Sequence, residues 1–151
     1  MSDLAVSNAG QITTHALGSC IGVCLFEPGR PMGGMLHYLL PDSAMGQGRP
    51  RFNPHMYADT GLVALLDELK RIGGNPTRMK AKIAGGANAL FEGATLDIGK
   101  RNILAARKLL WQHRIPLVGE EVGGSISRTV RLDIRTGTVT LTTPGQPPRT
   151  L

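Results

Sequence analysis

Two side chains able to do covalent chemistry stand seventeen residues apart: Cys20, closing Thr14-His15-Ala16-Leu17-Gly18-Ser19-Cys20, and His37. A free thiol is only slightly ionised at neutral pH. A neighbouring imidazole can take its proton to make the thiolate, and can later protonate a departing amine. A third polar group must usually hold the ring in one orientation. Thr14, just upstream on a possible adjacent strand, is the candidate. Gly18 frees the backbone ahead of Cys20, and a Gly-Ser turn entering a strand leaves the thiol within reach of a substrate. Cys24, by contrast, falls mid-strand, where a structural cysteine belongs.

The elements around this segment decide whether the two groups can meet. Ile21 to Phe26 reads as a buried strand, Glu27-Pro28-Gly29-Arg30-Pro31 as a turn, and Gly33 to Leu40 as a second strand. Together they predict a hairpin. With the turn centred near Gly29 and Arg30, Cys20 falls across from Leu39, and His37 is a diagonal neighbour on the same face, its Cα roughly 7–8 Å away. A shift by one in the pairing would put the two on opposite faces. The hairpin permits a Cys–His pair without requiring it. Two packing residues remain open on spacing alone. So does metal binding by Cys20, Cys24, His15 and His37, although the spacing matches no common zinc pattern. His55 and His113 sit at helix ends and read as structural.

Further along, a helix is expected with Asn53 as N-cap, Pro54 at its first position, and Ala58, Leu62, Leu65, Leu66, Leu69 and Ile72 on one face. Gly73-Gly74 ends it. Met79 to Ile83 alternates as a half-exposed strand. A second helix is expected from about Arg101 to His113. Leu117 to Val122 reads as a strand, and Ser127 to Ile134 with Thr138 to Thr142 as a hairpin. Short strands are also readable at Leu4 to Val6 and Gln11 to Thr14. The order lacks a regular βαβ alternation and predicts an α+β protein, with two helices packed on one face of a mixed or antiparallel sheet. Residues 1–143 form the expected single domain, and residues 144–151, polar and Pro-rich, an expected disordered tail.

The 151 residues are enough for a hydrophobic core without disulfides or metals, and 41% are apolar. The two cysteines lie about 13 Å apart along an extended strand, too far to pair, so free thiols and a reducing compartment are expected. No apolar stretch approaches the roughly 20 residues of a membrane helix, and no signal peptide is expected. Cytoplasmic placement follows, without membrane insertion. The formal net charge of +6 is spread along the chain with no long basic run. It suits solvated faces or an acidic protein partner better than nucleic acid. No Gly-rich segment has the pattern of a phosphate loop: Gly85-Gly86-Ala87 lacks the following Gly-Lys-Ser/Thr, and Gly123-Gly124-Ser125 precedes a strand.

Leu17-Gly18-Ser19-Cys20 followed by Gly33-Gly34-Met35-Leu36-His37-Tyr38-Leu39-Leu40-Pro41 resembles the CheD family of chemoreceptor glutamine deamidases. The similarity continues in Tyr57-Ala58-Asp59, Lys82-Ile83-Ala84-Gly85-Gly86-Ala87, Ile98-Gly99-Lys100-Arg101-Asn102, and Gly123-Gly124 with Arg128. The resemblance implies catalytic roles for Cys20, His37 and Thr14, and a layered α/β/β sandwich related to toxin-type cysteine deamidases. It implies a cysteine-dependent amidohydrolase that converts receptor glutamines to glutamate through a thioester, with no cofactor and no metal. Backbone N–H groups near Ser19 and Cys20 are then the candidates to hold the oxyanion, with Gly18 shaping the pocket. The implied partners are the cytoplasmic helices of methyl-accepting chemotaxis receptors and a CheC-type phosphatase. A non-catalytic adaptor that binds such a phosphatase is the alternative reading.

Overall fold

The computed structural model describes residues 2–88 and 97–151. Its strands are β1 (Asp3–Ser7), β2 (Gln11–Leu17), β3 (Ile21–Phe26), β4 (Gly33–Tyr38), β5 (Lys80–Gly85), β6 (Leu117–Val122), β7 (Arg128–Asp133), β8 (Val139–Thr142) and β9 (Arg149–Thr150). The helices are α1 (Ala58–Arg71) and α2 (Ile98–Gln112). Five strands form one sheet in the order β1-β4-β3-β5-β6, antiparallel except for β5 beside β6. The other four form a second, antiparallel sheet in the order β2-β7-β8-β9. The α+β class and the layered α/β/β arrangement are as expected; element order alone places a single sheet under the helices.

Alternation along β3 and β4 explains the layers. Both strands are buried on both faces, so each feeds two cores. Ile21, Val23 and Leu25 of β3, with Leu36 and Tyr38 of β4, pack against Leu62, Leu65 and Leu69 of α1 and Ile103, Ala106 and Leu110 of α2. The opposite face sends Cys24 and Met35 against Leu17, Val130, Leu132 and Leu141 of the second sheet. Each fully buried Leu contributes about 1.5–3 kcal/mol relative to exposure, so both cores are needed to hold the three layers together.

The helices begin elsewhere than their sequence signals indicate. Asn53 does cap, but it accepts from the His55 N–H of a single 3-10 turn over Pro54–Met56, and α1 starts only at Ala58. Tyr57 stays extended between them because its backbone pairs with Leu40. α2 starts at Ile98, three residues before the expected Arg101, because Asp97 accepts from Lys100 N–H as a side-chain cap. Lys80–Gly85 is more buried than its alternation suggested, being an interior strand between β3 and β6.

The tail differs most from expectation. Residues 144–151, read as disordered, return to the sheet: Arg149–Thr150 pairs with β8, and Leu151 N–H donates to Val139 at 2.9 Å. The Arg149 guanidinium pairs with Glu121, which also accepts from Arg128 at 3.2 Å. Composition registered the polarity of this stretch but not a long-range carboxylate partner for its arginine.

Candidate active site

The β3–β4 hairpin sets the first relationship. Ile21 lies opposite Tyr38 and Gly22 opposite His37, so Cys20, two residues before Gly22, alternates onto the face of Gly22 and His37. Cys20 and His37 therefore share a face, the one turned toward the second sheet. Cys20 is half-buried and packs against the core between the sheets, just ahead of β3. His37 is 7% exposed. Gly22, between them on that face, leaves space that a side chain would close: a Cβ there would sit 3.0 Å from Leu17 Cδ1 and 3.8 Å from Thr14 Cγ2.

Thr14 comes from the facing sheet rather than from a strand beside Cys20 as expected. Its Oγ1 lies 2.9 Å from His37 Nδ1. β2 pairs with β7 through Thr14 opposite Val130, then slips register before Leu17, with Ala16 in the left-handed region at φ 56°. This bulge ends the regular pairing just after Thr14 and turns the chain toward Gly18. His37 Nε2 is buried and has no hydrogen-bond partner among the described residues. In the tautomer whose Nδ1–H donates to Thr14 Oγ1, Nε2 is the ring nitrogen able to accept a proton.

Burial governs both ionisations. It pushes the Cys20 thiol above its ordinary value, partly offset by the residue's own N–H, and it pulls the His37 imidazole below its ordinary value. The resting pair is thus thiol and neutral imidazole. Cys24 is fully buried and its thiol is pushed up to about 12, so it is inert as a nucleophile. His15 is exposed on β2, and the four side chains Cys20, Cys24, His15 and His37 do not converge into a metal-binding group among the described residues.

The loop holding Cys20 is bracketed by main chain. Gly86 N–H donates to Cys20 O and Ala87 N–H to Gly18 O, both at 2.8 Å. Gly85 permits this approach: its φ is +113°, and a Cβ would fall within 2.2 Å of Cys20 O. Gly85-Gly86-Ala87 is therefore part of the site, a role that its failure to match a phosphate loop concealed. Gly18 N–H is spent on Ala16 O at 3.0 Å, whereas the Ser19 and Cys20 N–H groups have no backbone acceptor among the described residues. Sequence reasoning also passed over Asn102. It is fully buried, and its amide donates to Ser19 O and Leu39 O.

A cleft of about 170 Å³ between the free edges of β1 and β2 is lined by Thr14, His37, Asp3, Ile12 and Met35. Cys20 does not line it. A larger cleft of about 330 Å³ lies between the helices, beside Asp42, Arg101, Leu104 and Lys108, and includes none of Thr14, Cys20 and His37. Thr14, Cys20 and His37 thus sit apart from this larger cleft.

The family model for CheD chemotactic sensory transduction matches residues 39–143. The chain belongs to the CheD family. It is 49% identical to a probable chemoreceptor glutamine deamidase CheD of Solibacter usitatus, over 91% of this chain and 82% of the relative. It is 42% identical to a probable chemoreceptor glutamine deamidase CheD 1 of Syntrophus aciditrophicus, over 100% of this chain and 96% of the relative. It is also 42% identical to the chemoreceptor glutamine deamidase CheD of Thermotoga maritima, over 87% of this chain and 81% of the relative. The CheD model match begins two residues beyond His37, and the alignment with the Syntrophus CheD extends across the segment carrying Thr14, Cys20 and His37. No helix among the described residues is long and apolar enough to cross a membrane.

Proposed function

We propose that this chain deamidates glutamine side chains of chemoreceptors, with Cys20 as nucleophile, His37 as general base and acid, and Thr14 holding the imidazole. The observation that carries the reading is the ring's asymmetry: Nδ1 is held by Thr14 at 2.9 Å while Nε2 is buried and free. A histidine kept only for packing would gain nothing from one fixed and one unpaired nitrogen.

The chemistry follows from neutral partners. Nε2 takes the thiol proton as the sulfur adds to the amide carbon, since neither group is charged at rest. Unliganded sites often hold such groups beyond hydrogen-bond distance and close on substrate. The tetrahedral intermediate places its oxyanion at the Ser19 and Cys20 N–H groups. Collapse breaks the C–N bond, and the imidazolium hands its proton to the leaving ammonia. Water then attacks the thioester with Nε2 as base, and the thiol departs with that proton, leaving glutamate. No cofactor or metal enters any of these steps.

The partners fit the surface. Lys100, Arg101 and Lys108 are exposed on α2, and the chain carries a net charge of +6. Such a surface favours encounter with acidic receptor helices on the cytoplasmic side. Mass spectrometry of a receptor cytoplasmic fragment tests the reading. Wild type converts specific glutamines to glutamate, and Cys20→Ala does not. An unmodified receptor with wild type, or equal conversion by both proteins, overturns it; wild type that binds a CheC-type phosphatase and modifies nothing would mark an adaptor.

A further inference from the structure

Asn102 is an unusual occupant of a helix–sheet core. It is 0% exposed in the first turns of α2. Both amide hydrogens go to main-chain oxygens, Ser19 O at 2.9 Å and Leu39 O at 2.8 Å. Its own carbonyl accepts from the Tyr38 hydroxyl at 2.6 Å. Its Oδ1 is buried with no partner among the described residues. An unpaired buried acceptor is unfavourable, so the residue is retained for its two donors despite its oxygen. Those donors hold the residue just before Cys20 and the residue two beyond His37.

The Ser19–Cys20 peptide translates this grip into direction. No peptide bond among the described residues is cis, so the Ser19 C=O and Cys20 N–H point opposite ways. The carbonyl points at Asn102, on the helical side of the five-stranded sheet. The N–H then points to the other side, where the thiol and His37 lie. In agreement, the Cys20 N–H has no backbone acceptor among the described residues.

We infer that Asn102 is a positioning residue: by fixing the Ser19 carbonyl from the helical side, it aims the Cys20 N–H at the oxyanion. The inference rests on the deamidase reading. As the sulfur's electron pair forms the S–C bond, the amide C=O electrons move onto oxygen, and the Cys20 N–H meets that charge. When the carbonyl re-forms, the C–N bond breaks and His37 supplies the proton to ammonia. The second donor, on Leu39 O, keeps the end of β4 at a fixed distance from the Cys20 loop, so one side chain sets both halves of the site.

The test uses the full chain, a receptor cytoplasmic fragment, and the variants Asn102→Ala and Asn102→Ser, each confirmed folded by circular dichroism. Two quantities are read: steady-state deamidation, and alkylation of Cys20 by iodoacetamide, which needs the thiolate but no oxyanion donor. Asn102→Ala should lose about 10²-fold in kcat with KM nearly unchanged, and alkylate at close to the wild-type rate. Asn102→Ser, with one donor left, should fall between, and it decides alone if the alanine variant does not fold. Folded variants that keep kcat within about threefold of wild type overturn the inference. So does alkylation that falls in step with kcat, which would mark general loosening. Wild type inert on the receptor fragment sinks the deamidase reading and this inference with it, whereas active wild type with equally active variants sinks this inference alone.

Discussion

Thr14 and His37 meet across two sheets: the hydroxyl on β2 lies 2.9 Å from Nδ1 of the ring on β4. The contact occupies Nδ1 and leaves Nε2 as the ring nitrogen without a partner among the described residues. Thr14→Val keeps the shape and removes the hydroxyl. One buried hydrogen bond is worth about 1–1.5 kcal/mol net, so kcat should fall about tenfold, and Thr14→Ser should recover most of it. Single-turnover deamidation measures both, and an unchanged Thr14→Val rate would show that the ring is held by packing alone.

The two burial shifts predict an unusually wide activity plateau. The competent form needs the His37 ring unprotonated and the Cys20 thiol protonated before attack. The imidazole is moved below 6.5 and the thiol above 9.0, so the bell in kcat/KM should have its acid limb below the first value and its alkaline limb above the second. A pH–rate profile with its acid limb above 6.5 or its alkaline limb below 9.0 would contradict the burial shifts.

Stability should respond to the same imidazole. The folded ring has the lower pKa, so below pH 6.5 the unfolded chain takes up the proton first. Folding stability therefore falls as pH drops from 6.5 and levels off once the folded ring is also protonated. Urea unfolding at pH 7.5 and 5.5 should show a larger drop for wild type than for His37→Gln. Equal drops would place the linkage elsewhere.

Gly85→Ala should damage fold and site together. The added methyl meets Cys20 O at 2.2 Å, and φ +113° is strained for any residue with a Cβ. Backbone strain and overpacking together suggest a cost of about 3 kcal/mol or more. Chemical denaturation reads this directly, and a loss under about 1 kcal/mol would show that the loop relaxes without effort.

The hairpin was the most legible part of the site. Turn residues near Gly29 and strand alternation were enough to give the β3–β4 register, with Gly22 opposite His37. The origin of Thr14 was not legible. Alternation says which residues share a face, not which sheet a strand joins, and β2 finds its partner in β7. Asn102 did leave a signal: it precedes Ala106 by four residues and Leu110 by eight, so it lies on the buried face of its helix. Its polarity, beside Lys100 and Arg101, masks that signal. The tail was misread because an Arg–Glu pairing across the fold leaves no local pattern.

The pairing of β2 with β7 also dictates when activity can begin. Cys20 and His37 lie on one local hairpin, which can form as soon as that stretch leaves the ribosome. Thr14 is fixed only when Val130, more than a hundred residues later, has been synthesised and docked beside it. Under the proposed mechanism, a nascent or truncated chain thus carries Cys20 and His37 on one hairpin yet lacks an oriented imidazole, so that catalytic competence arrives only with completion of the second sheet.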